Sequence, residues 1–475
     1  MSLKQATIVN AIAKYSVIVM NIVFSGILAR LLTPDDYGII AVMTIFTTFF
    51  SKISDMGFGT AIIQYQQLTR EEINQIFSFT CFLAISLAVI FALLGSPISF
   101  FYDNTIYKKL CLFLSISVFF SCMNMIPNAV LLRNKDFIIV GVRTVIVNVI
   151  GYIIAIICAF GGWKYYALAV QSVISAMLNF FWNNYATKLK IVFKNPLTAL
   201  KKVWKYSFFQ FVFSWVNYFE SNLDQILIGG FMGNRSLAYY DRSYKLVGYP
   251  LAGISGVITP VLHPVLKDYQ DDKNCIYIKY IEIQKVLSCI ACVITPIFAF
   301  ASREIITILY GKQWEQAIII CQILCISIYP KFLMSTTGAV YCSAGNTKML
   351  FAAGTINAIV TCIGIGVGIC CGSINTVAIG VAVASWSNFF VTFIILIKKV
   401  LRKSVISYFK IFVGDFLEMI VLSGTLLLLT RWITTENIII SLFIKLCLVA
   451  IIYGGYLFIS KRYKIIEKIL LHKKN

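Results

Sequence analysis

Fourteen apolar stretches, most of them about 20 residues long, restrict the fold of this chain more than any other feature. A stretch of that length can cross a bilayer as an α-helix, and only helices or closed barrels satisfy the backbone hydrogen bonds there. Barrel strands would be shorter, about 10 residues, with alternating apolar and polar side chains. The sequence therefore predicts an all-α polytopic membrane protein of about fourteen transmembrane helices. Their approximate positions are 7–30, 38–62, 76–100, 109–132, 138–160, 165–186, 206–231, 243–264, 281–301, 315–342, 350–371, 374–397, 411–431 and 438–460.

The loops between these stretches are short, which excludes several classes of enzyme. Hydrophobic residues make up 59% of the chain and charged residues 13%, so an ordinary soluble surface is excluded. No loop exceeds roughly 20 residues, which is too short for a separate catalytic domain. No G-x-x-x-x-G-K-[ST] motif is present, so the chain has no built-in ATPase of that type.

The net charge of +21 follows the pattern of membrane topology. Most Lys and Arg residues outside the apolar stretches fall at the two termini and in the even-numbered loops. Because cytoplasmic loops carry the excess of positive charge, both termini are predicted to be cytoplasmic. The charge thus indicates contact with membrane lipids, and we expect no nucleic-acid partner.

A basic segment after the sixth apolar stretch divides the chain. We predict an N-terminal six-helix bundle at 1–186, a basic cytoplasmic linker at 187–205, a C-terminal six-helix bundle at 206–397, and two additional helices with a basic tail at 398–475. Six is an even number, so a duplicated second half would enter the membrane in the same orientation as the first. A polar pattern supports the repeat, since Thr7, Asn10, Lys14 and Asn21 lie 200 residues before Ser207, Gln210, Ser214 and Ser221.

Several short motifs resemble one family of transporters. They are Ala29-Arg30-Leu31-Leu32-Thr33-Pro34-Asp35-Asp36-Tyr37-Gly38, Asp55-Met56-Gly57-Phe58-Gly59, Asp224-Gln225, Tyr310-Gly311-Lys312-Gln313-Trp314 and Ala344-Gly345-Asn346-Thr347-Lys348. Together they are similar to Wzx-like oligosaccharide flippases of the polysaccharide transporter group, the branch of colanic and teichuronic acid exporters. The resemblance implies two six-helix bundles around a V-shaped central cavity, two extra C-terminal helices, and translocation of lipid-linked repeat units across the bacterial cytoplasmic membrane. O-antigen, capsule and exopolysaccharide synthesis are the processes it suggests. Polysaccharide polymerases and glycosyltransferases are the partners it suggests.

A lipid-diphosphate oligosaccharide would need cations for its phosphates and polar groups for its sugars. Charges within spans cost about 2.5 to 3.5 kcal/mol at a helix centre, so those that are retained usually face a cavity or a partner. The predicted substrate-binding residues are Lys14, Asn21, Arg30, Lys52, Arg143, Gln210, Ser214 and Asn217. Two alternatives stay open: Arg30 as an anchor of its helix end, and Lys52 with Asp55 as a helix-surface pair. Lys445 and Asp415 are expected to snorkel towards the membrane surface.

Glu220 and Asp224 lie four residues apart on one helical face and are predicted to couple transport to an ion. They would bind Na⁺ or exchange a proton, or else form an interhelical salt bridge to Lys14 or Arg143. We predict no catalytic residues, no metal site and no organic cofactor. The alternative functions are a cation-coupled small-molecule exporter of the MATE type, a membrane enzyme acting on lipid-linked sugars, and a scramblase or scaffold.

Overall fold

The computed structural model describes residues 3–192, 197–267, 269–270, 272–432, 437–460 and 462. Within these ranges the side chains of several helical residues are left undescribed, namely those at 3–11, 197–198, 205–206, 209–210, 212–213, 216–217, 220, 256–261, 263–265, 267, 347 and 431. Every regular element in the described part is helical, as the apolar stretches predict. The chain separates into two compact units, residues 1–238 and 239–475.

The first unit is built around one long central helix, α6. Its helices are α1 (Leu3–Leu31), α2 (Pro34–Asp55), α3 (Phe58–Gln64), α4 (Arg70–Leu93), α5 (Gly95–Phe101), α6 (Ile106–Arg133), α7 (Phe137–Phe160) and α8 (Tyr165–Thr187). Helix α6 packs against α2, α3, α4, α5 and α8, whereas α7 packs between α1 and α8. Helix α7 is thus a packing neighbour of α1.

Capping residues explain why α2 and α4 begin where they do. Thr33 caps α2: its Oγ1 accepts a hydrogen bond from the backbone N–H of Asp36, whose carboxylate accepts one from the N–H of Thr33. Pro34 occupies the first turn, where its missing N–H costs nothing. Thr69 and Glu72 form the same reciprocal arrangement at the start of α4. Sequence motifs of this kind fix helix starts locally, before tertiary contacts act.

A long helical segment, α9 (Leu197–Lys267), is broken at Gly233. The φ of Gly233 is 81° and its ψ is 170°, a conformation that glycine adopts readily because it has no Cβ atom. The break falls in the predicted turn between the spans at 206–231 and 243–264. The part of α9 up to residue 238 belongs to the first unit.

The break in α9 lies against the junction of α1 and α2. A Cβ atom on Gly38 would lie 2.0 Å from the backbone oxygen of Asn234, so no larger residue fits there without a shift. The Tyr107 hydroxyl donates a hydrogen bond to Asn234 Oδ1 at 2.6 Å, and Arg235 Nε lies 3.8 Å from Asp35 Oδ2. The start of α2 and the break in α9 are thus in contact.

The second unit contains the rest of α9 and all later helices. They are α10 (Lys273–Phe300), α11 (Ser302–Leu309), α12 (Gln316–Cys325), α13 (Ile328–Met334), α14 (Thr337–Ser343), α15 (Thr347–Cys370), α16 (Ile374–Ile394), α17 (Val405–Lys410), α18 (Val413–Trp432) and α19 (Ile438–Ile459). A 3₁₀ turn spans Lys312–Trp314 and a π-helical turn spans Ile395–Val400. Helix α10 packs against α12, α13 and α18, and α15 pairs with α16.

Close glycine contacts hold α15 and α16 together. A Cβ atom on Gly364 would lie 2.7 Å from the backbone oxygen of Gly380, and one on Gly380 would lie 2.1 Å from that of Gly364. Small residues at such crossings let membrane helices approach closely.

Ten of the described helices are long and apolar enough to cross a membrane, and eleven if a bent pair counts as one span. That pair is Gln316–Cys325 with Ile328–Ser343, bent by 46°. The predicted spans at 165–186, 206–231 and 243–264 are helical but are not among these. The fold is therefore that of a polytopic all-α membrane protein, while the count of fourteen and the bundle boundaries at 186, 206 and 397 stay predictions.

Candidate functional site

Arg143 is buried within the first unit among amide side chains. Its side chain comes from α7, and the residue is only 7% exposed. One guanidinium nitrogen donates hydrogen bonds to Asn128 Oδ1 at 3.0 Å and to Asn183 Oδ1 at 2.6 Å. Asn183 in turn donates to Asn124 Oδ1 at 2.7 Å. We call Asn124, Asn128 and Asn183 the amide cage.

The charge of Arg143 is not neutralised by any acidic side chain that the structure describes. Its Nε atom is buried and has no hydrogen-bond partner among the described atoms. Amide oxygens can solvate a guanidinium group but cannot cancel its charge, and a buried cation of this kind is costly. The amide cage therefore holds a positive charge in the interior of the first unit.

Three other predicted residues lie on α1. Asn21 is half-buried, and its Oδ1 accepts a hydrogen bond at 2.7 Å from the Tyr152 hydroxyl. The ring of Tyr152 stacks on Phe24. Lys14 is exposed, and Arg30 is exposed at the last turn of the helix. The structure thus joins Asn21 to α7 but leaves the two cations of α1 on the surface of the unit.

Lys52 and Asp55 lie in the last turn of α2. Lys52 is exposed, and its charge attracts the half-buried Asp55 carboxylate. Asp55 Oδ1 also accepts a hydrogen bond from the backbone N–H of Gly59 at 3.2 Å, which closes the turn into α3. Both the substrate role of Lys52 and its alternative as a surface partner of Asp55 stay predictions.

The predicted polar residues of α9 are described in part. Ser214 is half-buried and Asp224 is buried at 6% exposure, with its Oδ1 accepting from the backbone N–H of Gln225. The side chains of Gln210, Asn217 and Glu220 lie outside the described residues.

Aromatic side chains from the same part of α9 pack within the first unit. Trp215 and Phe219 surround Phe49 of α2, and the Tyr218 hydroxyl donates to the backbone oxygen of Ile45 at 2.5 Å. This face of α9 is therefore held against α2 by aromatic rings.

A second group of cations lies in the second unit, at residues outside the predicted substrate-binding set. Asp241 is buried, with Lys245 Nζ at 2.8 Å and an Arg242 nitrogen at 3.4 Å from its Oδ2. Lys331 of α13 lies 4.7 Å from the ring centroid of Tyr244 and lines a small cavity of about 160 Å³. Two of these cations, Arg242 and Lys245, therefore lie within 4 Å of the buried Asp241 carboxylate.

The expectation that Lys445 and Asp415 snorkel is wrong, because both are buried and paired. Lys445 Nζ lies 2.6 Å from Glu304 Oε1 and also donates to the backbone oxygen of Phe300. Asp415 is fully buried and lies 2.9 Å from an Arg462 nitrogen. The Ser288 and Tyr456 hydroxyls each donate to Asp415 at 2.7 Å. Both pairs anchor the C-terminal helices to α10 and α11.

The amide cage was not predicted from the sequence, although a signal for it exists there. Asn124 and Asn128 lie four residues apart on the apolar helix α6, which places them on one face. Sequence spacing could not show that Asn183 and Arg143, from two other helices, meet them there. Across the described residues, no group of three or more His, Cys, Asp or Glu side chains could hold a metal ion.

Comparisons with known proteins agree with this architecture. The chain is similar to teichuronic acid biosynthesis protein TuaB of Bacillus subtilis, at 23% identity over 72% of this chain and 71% of that protein. It is also similar to lipopolysaccharide biosynthesis protein WzxC of Escherichia coli, at 20% identity over 69% and 68% of the two chains.

Two solved structures share the fold. One is lipid II flippase MurJ in an inward closed conformation, with a TM-score of 0.76 at 17% identity over 96% of this chain and 100% of that one. The other is an inward-facing multidrug-resistance transporter of the MATE family, with a TM-score of 0.64 at 14% identity over 84% and 99%. The fold alone is therefore compatible with both a flippase and a drug exporter.

A family model described as "polysaccharide biosynthesis protein" matches residues 27–319, which is more than half of the chain. This chain belongs to that family of polysaccharide biosynthesis proteins.

Proposed function

We propose that this protein is a flippase that moves lipid-diphosphate-linked oligosaccharides across the bacterial cytoplasmic membrane. The observation that carries the proposal is Arg143, a buried cation with amide partners and no acidic partner in the described part of the chain. A buried charge is normally paired or else reserved for a ligand. An anionic substrate would supply the missing negative charge.

The character of the polar side chains matches this substrate class. Guanidinium groups bind phosphate oxygens through strong, charge-assisted hydrogen bonds. Arg143, Lys14 and Lys52 are proposed for the phosphates, and Asn21 and Ser214 for the sugar hydroxyls. Arg30, Gln210 and Asn217 complete the proposed set.

The cycle we propose is alternating access between the two predicted six-helix bundles. The head group enters a cavity open to the cytoplasm, the bundles rock, and the head group leaves on the other side while the lipid tail stays in the bilayer. Export of an anion from an inside-negative cell gains about 2.3 kcal/mol per charge per 100 mV. The membrane potential can therefore contribute to the driving force. Glu220 and Asp224 are proposed to add coupling to Na⁺ or protons.

The protein is multi-pass, and we propose that both termini are cytoplasmic because the basic loops would then face the cytoplasm. We propose further that it is not an enzyme itself. It would act between glycosyltransferases, which assemble the repeat unit, and a polymerase, which consumes it. The names of TuaB and WzxC place those relatives in teichuronic acid and lipopolysaccharide biosynthesis, which supports a role in this kind of process.

A cation-coupled exporter of small molecules is the second candidate, because the MATE transporter shares the fold. Export of cations favours an acidic binding region. Arg143 argues against it, since this buried cation has no acidic partner among the described residues.

Accessibility of the oligosaccharide in cells tests the proposed function. Spheroplasts that carry the chain should expose the lipid-linked oligosaccharide to an added glycosidase, whereas spheroplasts without it should protect the sugar inside. An Arg143→Gln variant should expose the sugar about 10- to 150-fold more slowly than the wild type, and a Lys109→Gln variant, changed at an exposed cation, should behave as the wild type. Equal exposure with and without the protein would contradict the proposal.

A further inference from the structure

A cavity of about 900 Å³ lies within the second unit, between the C-terminal helices α18 and α19 and the helices α10, α11, α12 and α16. Its volume falls in the range of about 300 to 1,000 Å³ that is typical of small-molecule sites. None of the residues predicted to bind the transported substrate lines it. It is therefore a candidate for a second ligand.

One wall of the cavity is a stripe along α18. Met419, Ser423, Leu427 and Thr430 all line it at steps of three and four residues, so they share one face of the helix. At 1.5 Å per residue this stripe is roughly 16 Å long. The Ser423 and Thr430 hydroxyls each donate to a backbone oxygen of α18 at 2.7 Å, so the wall suits an elongated, largely apolar ligand better than a compact polar one.

The start of α11 and the turn after it form the charged end of the cavity. Arg303, at the start of α11, and Lys312, in the following turn, line it and are exposed. Neither forms an ion pair with an acidic side chain in the described ranges. These two cations lie near the helix ends, where the head groups of membrane lipids are found.

A buried acidic group completes this end. Glu304 lines the cavity and is 6% exposed, and its Oε1 accepts hydrogen bonds from Lys445 Nζ and the Ser441 hydroxyl. Its other oxygen, Oε2, is buried and has no hydrogen-bond partner among the described atoms. A buried acceptor without a partner is costly, so a ligand that offers a hydroxyl donor would be favoured there.

We propose that this cavity binds an anionic glycerophospholipid of the surrounding bilayer whose head group carries hydroxyl groups. The phosphate lies between Arg303 and Lys312, a head-group hydroxyl donates to Glu304 Oε2, and an acyl chain runs along the stripe of α18. The two C-terminal helices thus form a lipid site with the second unit. No predicted substrate-binding residue lines this site, so the inference does not depend on the proposed function.

The choice of ligand class follows from the combination of groups. Two unpaired cations select a phosphate over a zwitterionic head, whose own ammonium would be repelled. The free carboxylate oxygen selects a hydroxylated head over a bare phosphate, because two negative groups would otherwise face each other. The long apolar wall selects a lipid over a soluble phosphate.

Lipid retention by the purified full-length protein tests the proposal. Native mass spectrometry would compare nanodiscs of phosphatidylglycerol with nanodiscs of phosphatidylcholine, with polyprenyl phosphate added in a third arm. We expect a retained phosphatidylglycerol molecule, at least tenfold weaker retention of phosphatidylcholine, and no displacement by polyprenyl phosphate.

Two variants and a control locate the site. The double variant Arg303→Ala with Lys312→Ala should lower retention at least tenfold. Ser423→Phe, which fills the cavity without changing charge, should lower it as well, and Lys348→Ala, an exposed cation outside the lining, should leave it unchanged. Unchanged retention in both variants would overturn the proposal. So would equal retention of phosphatidylcholine or displacement by polyprenyl phosphate.

Discussion

Replacement of Arg143 separates a substrate role from a structural one. Each hydrogen bond from its guanidinium group to Asn128 and Asn183 contributes about 1.5 to 3 kcal/mol. A charge at a helix centre costs about 2.5 to 3.5 kcal/mol, which offsets much of that gain. Arg143→Gln keeps one amide donor for the cage and removes the charge, so we expect a change in stability of only about 1 kcal/mol.

Transport should change far more than stability. If Arg143 contacts a phosphate, loss of that contact removes about 1.5 to 3 kcal/mol of substrate binding. This corresponds to a decrease of about 10- to 150-fold in translocation at limiting substrate. Arg143→Lys keeps the charge but loses the planar, forked guanidinium group. Its translocation rate should therefore lie between those of Arg143→Gln and the wild type.

The assay pairs translocation in proteoliposomes with thermal unfolding of the same preparations in detergent. Lys109→Gln serves as the control for loss of an exposed cation. Translocation by Arg143→Gln at the rate of the wild type would refute the substrate role. A large loss of stability in both Arg143→Gln and Arg143→Lys, with equally low transport, would show that Arg143 is structural.

Three further predictions follow from other parts of the chain. Glu220→Gln and Asp224→Asn should abolish the response of transport to an imposed Na⁺ or proton gradient while leaving gradient-free transport measurable; a response equal to that of the wild type would end the coupling hypothesis. Cysteines at Asp35 and Arg235, whose side chains lie 3.8 Å apart, should stop transport when joined by a short bifunctional reagent and regain it on reduction; undiminished transport by the joined protein would exclude rocking at this junction. Lys445→Met should destabilise the protein by about 3 to 5 kcal/mol because it leaves Glu304 buried without its partner. Adding Glu304→Gln should recover part of that loss. Additive losses in the double variant, measured by thermal unfolding, would show that the pair is not coupled.

The helices could be predicted because their signals are local. Length, hydropathy and caps such as Thr33 with Asp36 act over a few residues, so the apolar stretches and the turn that contains Gly233 could be predicted from the sequence. The partners of buried charges could not be predicted. Whether Lys445 snorkels or pairs depends on Glu304, 141 residues away in the chain, and the amide cage of Arg143 brings together three helices. Such contacts depend on how each helix is rotated and shifted against its neighbours. Short sequence patterns do not determine this, because it follows from the packing of the whole fold.

Translocation in proteoliposomes tests the central claim most directly. A defined lipid-diphosphate oligosaccharide would be placed in both leaflets, with and without a membrane potential, a Na⁺ gradient and a proton gradient, and its exposure to an external glycosidase would be followed. We predict that vesicles with the protein expose the protected half of the oligosaccharide, faster when the potential favours movement of the anion, whereas empty vesicles do not. Export of small organic cations without movement of the oligosaccharide would contradict the account.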